Sequence, residues 1–127
     1  MNNYKQHQAL LKLFKLALQK KYPSARLFDR PVGLFKTVYG GTVKVGTTGF
    51  PDLEVWFPTT NGIIITHYEV KTGKGKQSKK QKTADKLISL MNGFYEVIRE
   101  DYTYKKTEEF LKGKTLIGVD FSLLENS

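Results

Sequence analysis

The chain of 127 residues contains no cysteine. Disulfide bridges and cysteine-ligated zinc are therefore excluded, and the composition suits a reducing cytoplasm. No apolar run approaches the roughly 20 residues that a membrane-spanning helix needs. The N-terminal segment also lacks the apolar stretch and the small-residue cleavage site of a secretion signal. We therefore expect a soluble, cytoplasmic protein with no membrane partner.

Acidic residues are scarce, and none occurs among residues 1–28. The chain has 21 Lys and Arg against 12 Asp and Glu, a net charge of +9, and residues 71–86 hold seven lysines and one acid. A small domain this basic attracts polyphosphate, because each neutralised phosphate releases condensed counterions. An acidic membrane surface and a general solubilising charge remain alternatives at this point. The concentration of lysines in one segment favours a nucleic acid.

Hydrophobic residues make up 39% of the chain and aromatic residues 13%, enough for one core in a single domain spanning residues 1–127. The spacing of apolar residues predicts an α/β fold, a mixed β-sheet flanked by helices. In chain order, the predicted elements are a helix over 4–20, short extended segments over 25–46, strands over 53–57 and 63–71, a helix from Ser78 to about 92, a strand over 94–100, a helix over 105–112 and an extended segment over 115–124.

The predicted hairpin over 49–71 carries charged residues where a half-buried strand usually has none. If "TTNG" is a four-residue loop, Pro58 pairs with Ile63 and Asp52 lies opposite Glu69. If the loop is instead the two residues Asn61 and Gly62, Asp52 lies opposite Lys71. Directly opposed residues project to the same face. Both registers therefore predict that Asp52, Glu69 and Lys71 share one side of the sheet.

Two neighbouring carboxylates repel each other unless a cation lies between them. Mg²⁺ suits such a site, because it binds one or two carboxylates and keeps several waters and substrate phosphates. A lysine two residues beyond Glu69 would assist an attacking water or stabilise charge on a phosphate. The alternative is an ion pair between Glu69 and Lys71 on a solvated edge, with Asp52 capping a turn. Similarly, Glu54 opposite His67 is interpreted as a cross-strand hydrogen-bonded pair rather than a second acid and base.

The order "PD", 16 residues, then "EVK" resembles the PD-(D/E)xK nuclease signature. The stretches "RPVGLFKTVYGGTVKVGTTGFPD", "EVKTGKGKQSKKQ" and "NGFYEVIRE" are similar to its virus-type replication-repair subgroup, the VRR-NUC domain, over roughly residues 4–100. The resemblance implies a restriction-endonuclease-like core and a structure-selective DNA endonuclease, with branched DNA such as four-way junctions as substrate. It would also fit a virus-encoded protein.

By the same resemblance, Asp52, Glu69 and the backbone carbonyl of Val70 would bind Mg²⁺ or Mn²⁺, Lys71 would assist the water, and Gln81 would orient the site. Gln77, four residues earlier, is the weaker match for that glutamine. The family's glutamate on the first helix has no counterpart, and Gln6, His7 and Gln8 are the residues in its place. This departure leaves open whether a second metal binds and motivates two alternatives: a binding module without efficient catalysis, and an RNA-processing nuclease.

Several basic residues are candidates for contact with the nucleic-acid backbone: Arg30, Lys44, Lys74, Lys76, Lys79 and Lys80. A site on so short a chain reaches one strand at a time, so two symmetric cuts would require a homodimer. The glycines near the lysines do not form a "GxxxxGK[ST]" motif, which argues against a nucleotide cofactor.

Overall fold

A β-hairpin formed by β4 (Leu53–Thr59) and β5 (Gly62–Val70) is at the centre of the fold. The computed structural model describes residues 3–29, 33–36, 42–45 and 51–118. The other elements in these ranges are α1 (Asn3–Lys21), β1 (Arg26–Asp29), β2 (Gly33–Lys36), β3 (Thr42–Val45), α2 (Lys79–Leu90), β6 (Phe94–Ile98) and α3 (Lys105–Leu111). The predicted α/β class is confirmed, with a four-stranded mixed sheet and three helices in the described residues.

The hairpin register is the first of the two predicted. Pro58 pairs with Ile63, and the pairing continues to Thr59 and Gly62, so the connecting turn is Thr60 and Asn61. The alternative in which Asn61 and Gly62 form the turn is wrong. Gly62 has a φ of +118°, a conformation that residues with a side chain rarely adopt, which explains a glycine at the start of β5.

The main sheet has the strand order β1-β4-β5-β6. β1 and β5 are both antiparallel to β4, whereas β6 is parallel to β5. Parallel neighbours need a long crossover connection, and α2 supplies it. β2 and β3 form a separate antiparallel pair. In this arrangement β5 is an interior strand, with neighbours on both sides.

One face of the sheet packs on α1. Leu10, Leu11, Phe14 and Leu18 are buried at the spacing of a single helix face, as the sequence predicted, and they join a core that includes buried residues of β4, β5, β6 and α3. Burial of each large apolar side chain contributes about 1.5–3 kcal/mol. This packing fixes the N-terminal half of α1 against β5. No helix among the described residues has the length and apolar character needed to cross a bilayer.

Both ends of α2 are defined by local hydrogen bonds. Ser78 is the N-cap, as predicted, and forms a capping box with Gln81: the Gln81 N–H donates to Ser78 Oγ at 3.1 Å, and the Ser78 N–H donates to Gln81 Oε1 at 2.8 Å. At the other end Asn92 adopts a φ of +61°, and the Gly93 N–H donates to the Ile88 carbonyl at 2.8 Å. These are the features of a Schellman motif.

The last described segment contacts the hairpin turn. Leu116 forms an isolated bridge with Thr59, the Thr60 N–H donates to the Thr115 carbonyl at 3.0 Å, and the Ile117 N–H donates to the Pro58 carbonyl at 3.0 Å. The segment predicted as extended over 115–124 is thus described up to residue 118, and its remainder lies outside the described residues.

Candidate metal-binding site

Glu69, the penultimate residue of β5, is completely buried, with 0% of its surface exposed. Its Oε1 accepts a hydrogen bond of 2.9 Å from the Tyr95 hydroxyl. Its Oε2 is buried and has no hydrogen-bond partner within the described part of the chain. A solvated ion pair at an exposed edge, the alternative interpretation of this residue, does not fit a carboxylate buried to this extent.

The electrostatic setting of Glu69 disfavours its charged form. Burial raises the pKa of this carboxyl above its usual value, and the charge on Asp52 acts in the same direction. The Tyr95 hydroxyl, the Lys71 ammonium group and the Gln77 amide act in the opposite direction, but they do not offset burial. An ionised Glu69 therefore needs a further positive charge or donor at Oε2.

Asp52 lies directly before β4 and is tied to the far end of β5. Its Oδ2 accepts a 2.8 Å hydrogen bond from the Val70 N–H. Val70 is the last residue of β5 and follows Glu69, so this bond holds the two acidic residues at one end of the hairpin. Asp52 is about a third exposed, with 29% of its side chain in contact with solvent. Asp52 and Glu69 therefore lie at the same end of the hairpin.

His7 of α1 also reaches Asp52. Its Nε2 lies 3.1 Å from Asp52 Oδ2. This contact with Asp52 raises the pKa of His7, and burial and the positive charge of Lys71 oppose the effect. His7 lies one helical turn before the buried Leu10 and Leu11, so the packing of α1 carries its imidazole to this end of the sheet. His7 is one of the three residues that stand in place of the family's first-helix glutamate, and it contacts Asp52.

Lys71 follows β5 directly, and its charge acts on Glu69 and on His7. Its charge lowers the pKa of Glu69 and the pKa of His7. Its backbone N–H donates to the Ile98 carbonyl at 2.9 Å, which continues the pairing of β5 with β6. The ammonium group is therefore carried on backbone that the sheet holds, two residues after Glu69 in the chain.

The two candidate glutamines have different surroundings. The Gln81 side chain is engaged in the capping box of α2. Gln77 instead donates from Nε2 to Asp85 Oδ2 at 3.2 Å, and its amide lowers the pKa of both Glu69 and Tyr95. Of the two glutamines, Gln77 is the one whose amide acts on the pKa of Glu69. The capping-box pattern S-x-x-Q from Ser78 to Gln81 was a signal in the sequence that could have separated the two.

Glu54 and His67 form the cross-strand pair that the register predicted. Glu54 Oε1 lies 3.3 Å from His67 Nε2, and Glu54 Oε2 accepts a 2.7 Å hydrogen bond from Trp56 Nε1. Both carboxylate oxygens are thus engaged within the sheet. The interpretation of this pair as a structural contact is confirmed in its geometry.

The lysines predicted to contact nucleic acid lie before and at the start of α2. Lys74, Lys76, Lys79 and Lys80 are all exposed. The loop is held at its first glycine, where the Gly73 N–H donates to Glu100 Oε1 at 2.6 Å. Lys44 lies on β3 opposite Leu34, and its side chain is outside what the structure describes. Arg30 lies outside the described residues altogether.

The site offers oxygen donors to a hard cation. A buried carboxylate oxygen without a partner and a second carboxylate at the same end of the hairpin suit Mg²⁺ or Mn²⁺, which take one or two carboxylates from the protein. Within residues 3–29, 33–36, 42–45 and 51–118 no group of three or more His, Asp or Glu side chains is placed to hold a metal ion. Two carboxylates with a backbone carbonyl and water are the donor set that the residues present fit.

Comparison with known proteins identified no relative of this chain. The chain matches no family model, and no curated protein and no solved structure is significantly similar to it. The resemblance to the VRR-NUC pattern therefore depends on the motif residues of the sequence, and the geometry around Glu69 is a separate observation from it.

Proposed function

We propose that this protein is a metal-dependent DNA endonuclease with a restriction-endonuclease-like core of the VRR-NUC type. The observation that carries the proposal is the buried, unpartnered Oε2 of Glu69. Burying an ionised carboxylate oxygen without a partner costs several kcal/mol at least. A divalent cation bound to Oε2 would offset that cost. A buried Glu69 is therefore expected in a protein that functions with the ion bound.

Each residue of the site has a role in this proposal. Asp52, Glu69 and the Val70 carbonyl would hold Mg²⁺ or Mn²⁺, and the bound ion would supply an activated water and neutralise charge on the phosphate. The Lys71 ammonium group orients the attacking water and stabilises the negative charge that develops on the phosphodiester. His7 keeps the Asp52 carboxylate in place through its contact with Oδ2.

The exposed lysines indicate that the proposed substrate is a nucleic acid. Residues 71–86 carry seven lysines, and those at positions 74, 76, 79 and 80 project into solvent close to Lys71 along the chain. They bind the phosphate backbone without reading sequence. With the motif resemblance, this favours branched DNA, including four-way junctions, cut by a homodimer that presents one site to each of two strands.

A second candidate function is a DNA-binding module that keeps the fold without efficient catalysis. The observation that favours it is that α1 brings the imidazole of His7, and not a carboxylate, to Asp52. A site with fewer carboxylates binds a cation more weakly. The two candidates make different predictions for an Asp52 variant.

The test uses four-way junctions, flaps, duplex DNA and matched RNA, each incubated with the protein and Mg²⁺ or Mn²⁺. The endonuclease proposal expects cleavage of branched DNA, at least about 100-fold weaker in Asp52→Ala, with binding in Ca²⁺ retained. Glu109→Ala is the matched control, because Glu109 is an exposed carboxylate on α3. Binding of junctions without metal-dependent cleavage would favour the binding module, and cleavage of RNA alone would replace DNA as the substrate.

A further inference from the structure

The main sheet has a face that α1 does not cover. The ring of Tyr68 on β5 lies 5.0 Å from that of Phe14 on α1, so Tyr68 projects to the α1 side. Strand alternation therefore places Ile63, Ile65 and Glu69 on the opposite face, which we call the outer face. Ile63 is 52% exposed and Ile65 is 43% exposed, so the outer face is open to solvent near the turn of the hairpin. Adjacent exposed isoleucines are typical of a surface that binds a ligand or a partner.

Trp56 continues this apolar surface onto β4. It pairs with Ile65 across the hairpin, so both side chains project to the outer face, and the indole is partly exposed. The Trp56 Nε1–H donates to Glu54 Oε2 at 2.7 Å. This hydrogen bond fixes the indole by its edge. The π-faces of the ring take no part in it, and they are the surfaces on which another flat ring stacks.

β1 adds an aromatic ring and a positive charge beside Trp56. The ring centroid of Phe28 lies 4.7 Å from that of Trp56 at an interplanar angle of 53°, so the two rings are tilted and do not stack on each other. Arg26 pairs with Trp56 in the sheet, and its guanidinium carbon lies 5.8 Å from the centroid of the Phe28 ring. We call Arg26, Phe28, Trp56 and Ile65 the aromatic patch.

The aromatic patch shares the outer face with Glu69. Ile65 precedes Glu69 by four residues on β5, which corresponds to about 13 Å along a strand. A nucleic-acid strand with one phosphate at the proposed metal site therefore has further nucleotides within reach of the patch. Unpaired bases stack on aromatic side chains and on guanidinium planes, whereas the bases of a duplex are already stacked on each other.

The charge of the protein also favours a nucleic acid as the occupant of the patch. A second copy of the chain would bring another net charge of +9 towards this face and its arginine, and like charges disfavour that contact. A polyanion is attracted by the same charge. The patch supplies the apolar and aromatic contacts for bases, and the exposed lysines supply contacts for phosphates.

We propose that the aromatic patch binds an unpaired base of the DNA substrate, which stacks on the indole of Trp56. This inference rests on the proposed function, because it takes DNA as the substrate and Glu69 as part of the site that cuts it. It also narrows the substrate class. Among branched DNA molecules it favours flaps and splayed arms, which contain unpaired nucleotides, over four-way junctions, whose arms are fully paired.

The first experiment uses the fluorescence of the wild-type protein. Trp56 is the only tryptophan of the chain, so its emission reports on the patch alone. We expect single-stranded oligothymidylate of about ten nucleotides, added in EDTA, to quench this emission as it binds, and duplex DNA of the same length to leave it nearly unchanged. Saturation with the oligonucleotide without a change in emission would overturn the inference. An emission that changes with protein concentration in the absence of DNA would also overturn it, because a second copy would then cover the patch.

The second experiment compares two substitutions of Trp56. Trp56→Leu keeps an apolar side chain and removes the aromatic ring, and we expect flap DNA to bind about 5–100-fold more weakly in EDTA. The slope of log affinity against log salt is expected to stay the same, because no phosphate contact is lost. Trp56→Phe retains a ring and is expected to restore most of the affinity. The matched control is Leu13→Ala, a residue of α1 that is 62% exposed, with flap affinity within about twofold of the wild type.

Duplex DNA separates stacking from a merely structural role of Trp56. A side chain that only supports the fold affects all DNA binding alike, so its loss would weaken flap and duplex binding by the same factor. We expect Trp56→Leu to bind duplex DNA as the wild type does. Equal losses for flap and duplex DNA in Trp56→Leu would show that the inference is wrong.

The outcomes also distinguish this inference from the proposed function. A wild-type protein that binds neither flap nor duplex DNA overturns both. A wild-type protein that cleaves branched DNA with Mg²⁺ or Mn²⁺, but whose Trp56 emission is unchanged by bound oligothymidylate, overturns the role of the patch and leaves the nuclease in place.

Discussion

The backbone N–H of Val70 donates a 2.8 Å hydrogen bond to the carboxylate of Asp52, which lies 18 positions earlier in the chain. The bond closes the open end of the β4–β5 hairpin. Because Val70 adjoins Glu69, the bond also keeps Asp52 next to the backbone that carries Glu69. Neither carboxylate depends on a long flexible loop for its position, which suits a site that must hold an ion in one geometry.

The first prediction concerns the stability of the metal-free protein. Glu69→Gln replaces a buried, incompletely partnered carboxylate with a neutral amide, and we expect it to raise the free energy of unfolding at pH 7.5 in EDTA by about 0.5–2 kcal/mol. Urea denaturation measures this difference. A variant less stable than the wild type would show that Glu69 is satisfied without an ion.

The same substitution has a pH dependence of known sign. The pKa of Glu69 is raised in the folded protein, chiefly by burial, so the folded state binds the proton more tightly than the unfolded state. The wild type therefore gains stability as pH falls from the raised pKa towards 4.5, its ordinary value. Glu69→Gln lacks this gain, and the stability difference between the two proteins is expected to shrink over that interval.

Adding the metal should reverse the order of stability. A ligand that binds the folded protein stabilises it in proportion to the logarithm of its concentration over Kd, by about 2.7 kcal/mol at 100 times Kd. We expect Mn²⁺ to raise the thermal midpoint of the wild type and leave that of Glu69→Gln unchanged. An equal rise in both proteins would place the bound ion elsewhere, and Glu109→Gln, an exposed carboxylate on α3, serves as the control for charge alone.

The capping box of α2 predicts that two substitutions have equal effects. Ser78→Ala and Gln81→Ala each remove one half of the reciprocal hydrogen bonds, and each is expected to cost about 0.5–2 kcal/mol of unfolding free energy. If Gln81 acts in capping, the two variants also lose the same fraction of nuclease activity. A much larger loss of activity in Gln81→Ala would restore the catalytic role that the sequence pattern assigns to it.

Gly93 is expected to resist substitution because of a close approach rather than its φ angle. A Cβ atom there would lie 2.7 Å from Ile88 Cγ2 and 2.9 Å from the Ile88 carbonyl oxygen. Gly93→Ala is therefore expected to destabilise the protein by about 1–3 kcal/mol, as overpacking does. The control is Gly118→Ala, where the nearest atom would be Ser24 Oγ at 3.9 Å, and denaturant unfolding compares the two variants.

The lysines at the start of α2 predict the salt dependence of DNA binding. Lys79→Gln combined with Lys80→Gln is expected to weaken binding similarly for all DNA sequences and to reduce the slope of log affinity against log salt by about 1–2. Lys105→Gln, an exposed lysine on α3, is the matched control. An unchanged slope in the double variant would mean that these lysines do not contact phosphate.

The elements built from local patterns were predictable from the sequence. The apolar spacing of α1 predicted its buried face, and Ser78 and Asn92 marked the ends of α2. The hairpin register was reduced to two choices, because strand alternation and loop length restrict it. Glu69 and Asp52 were assigned to one site from that register, and their tie through Val70 is visible only in three dimensions.

The contacts that depend on the parallel strand could not be predicted in this way. Tyr95 reaches Glu69 because β6 pairs with β5 after the α2 crossover, and no local pattern specifies that register. Gln77 and Gln81 are the same residue type and lie four positions apart in the sequence. Only the resemblance to the family pattern distinguished them, and it favoured Gln81. In the structure Gln81 takes part in the capping box of α2, and Gln77 donates to Asp85.

The two-residue turn at Thr60 and Asn61 has a consequence for the order of folding. Closing so short a loop costs little chain entropy, so the hairpin that carries both acids forms at an early stage, while Tyr95 must wait for the distant strand to dock. In this order of events the Glu69 side chain stays solvated until β6 docks, and docking buries it. A cation that binds at Glu69 would stabilise the native state more than the folding transition state. We therefore expect such a cation to slow unfolding more than it accelerates folding.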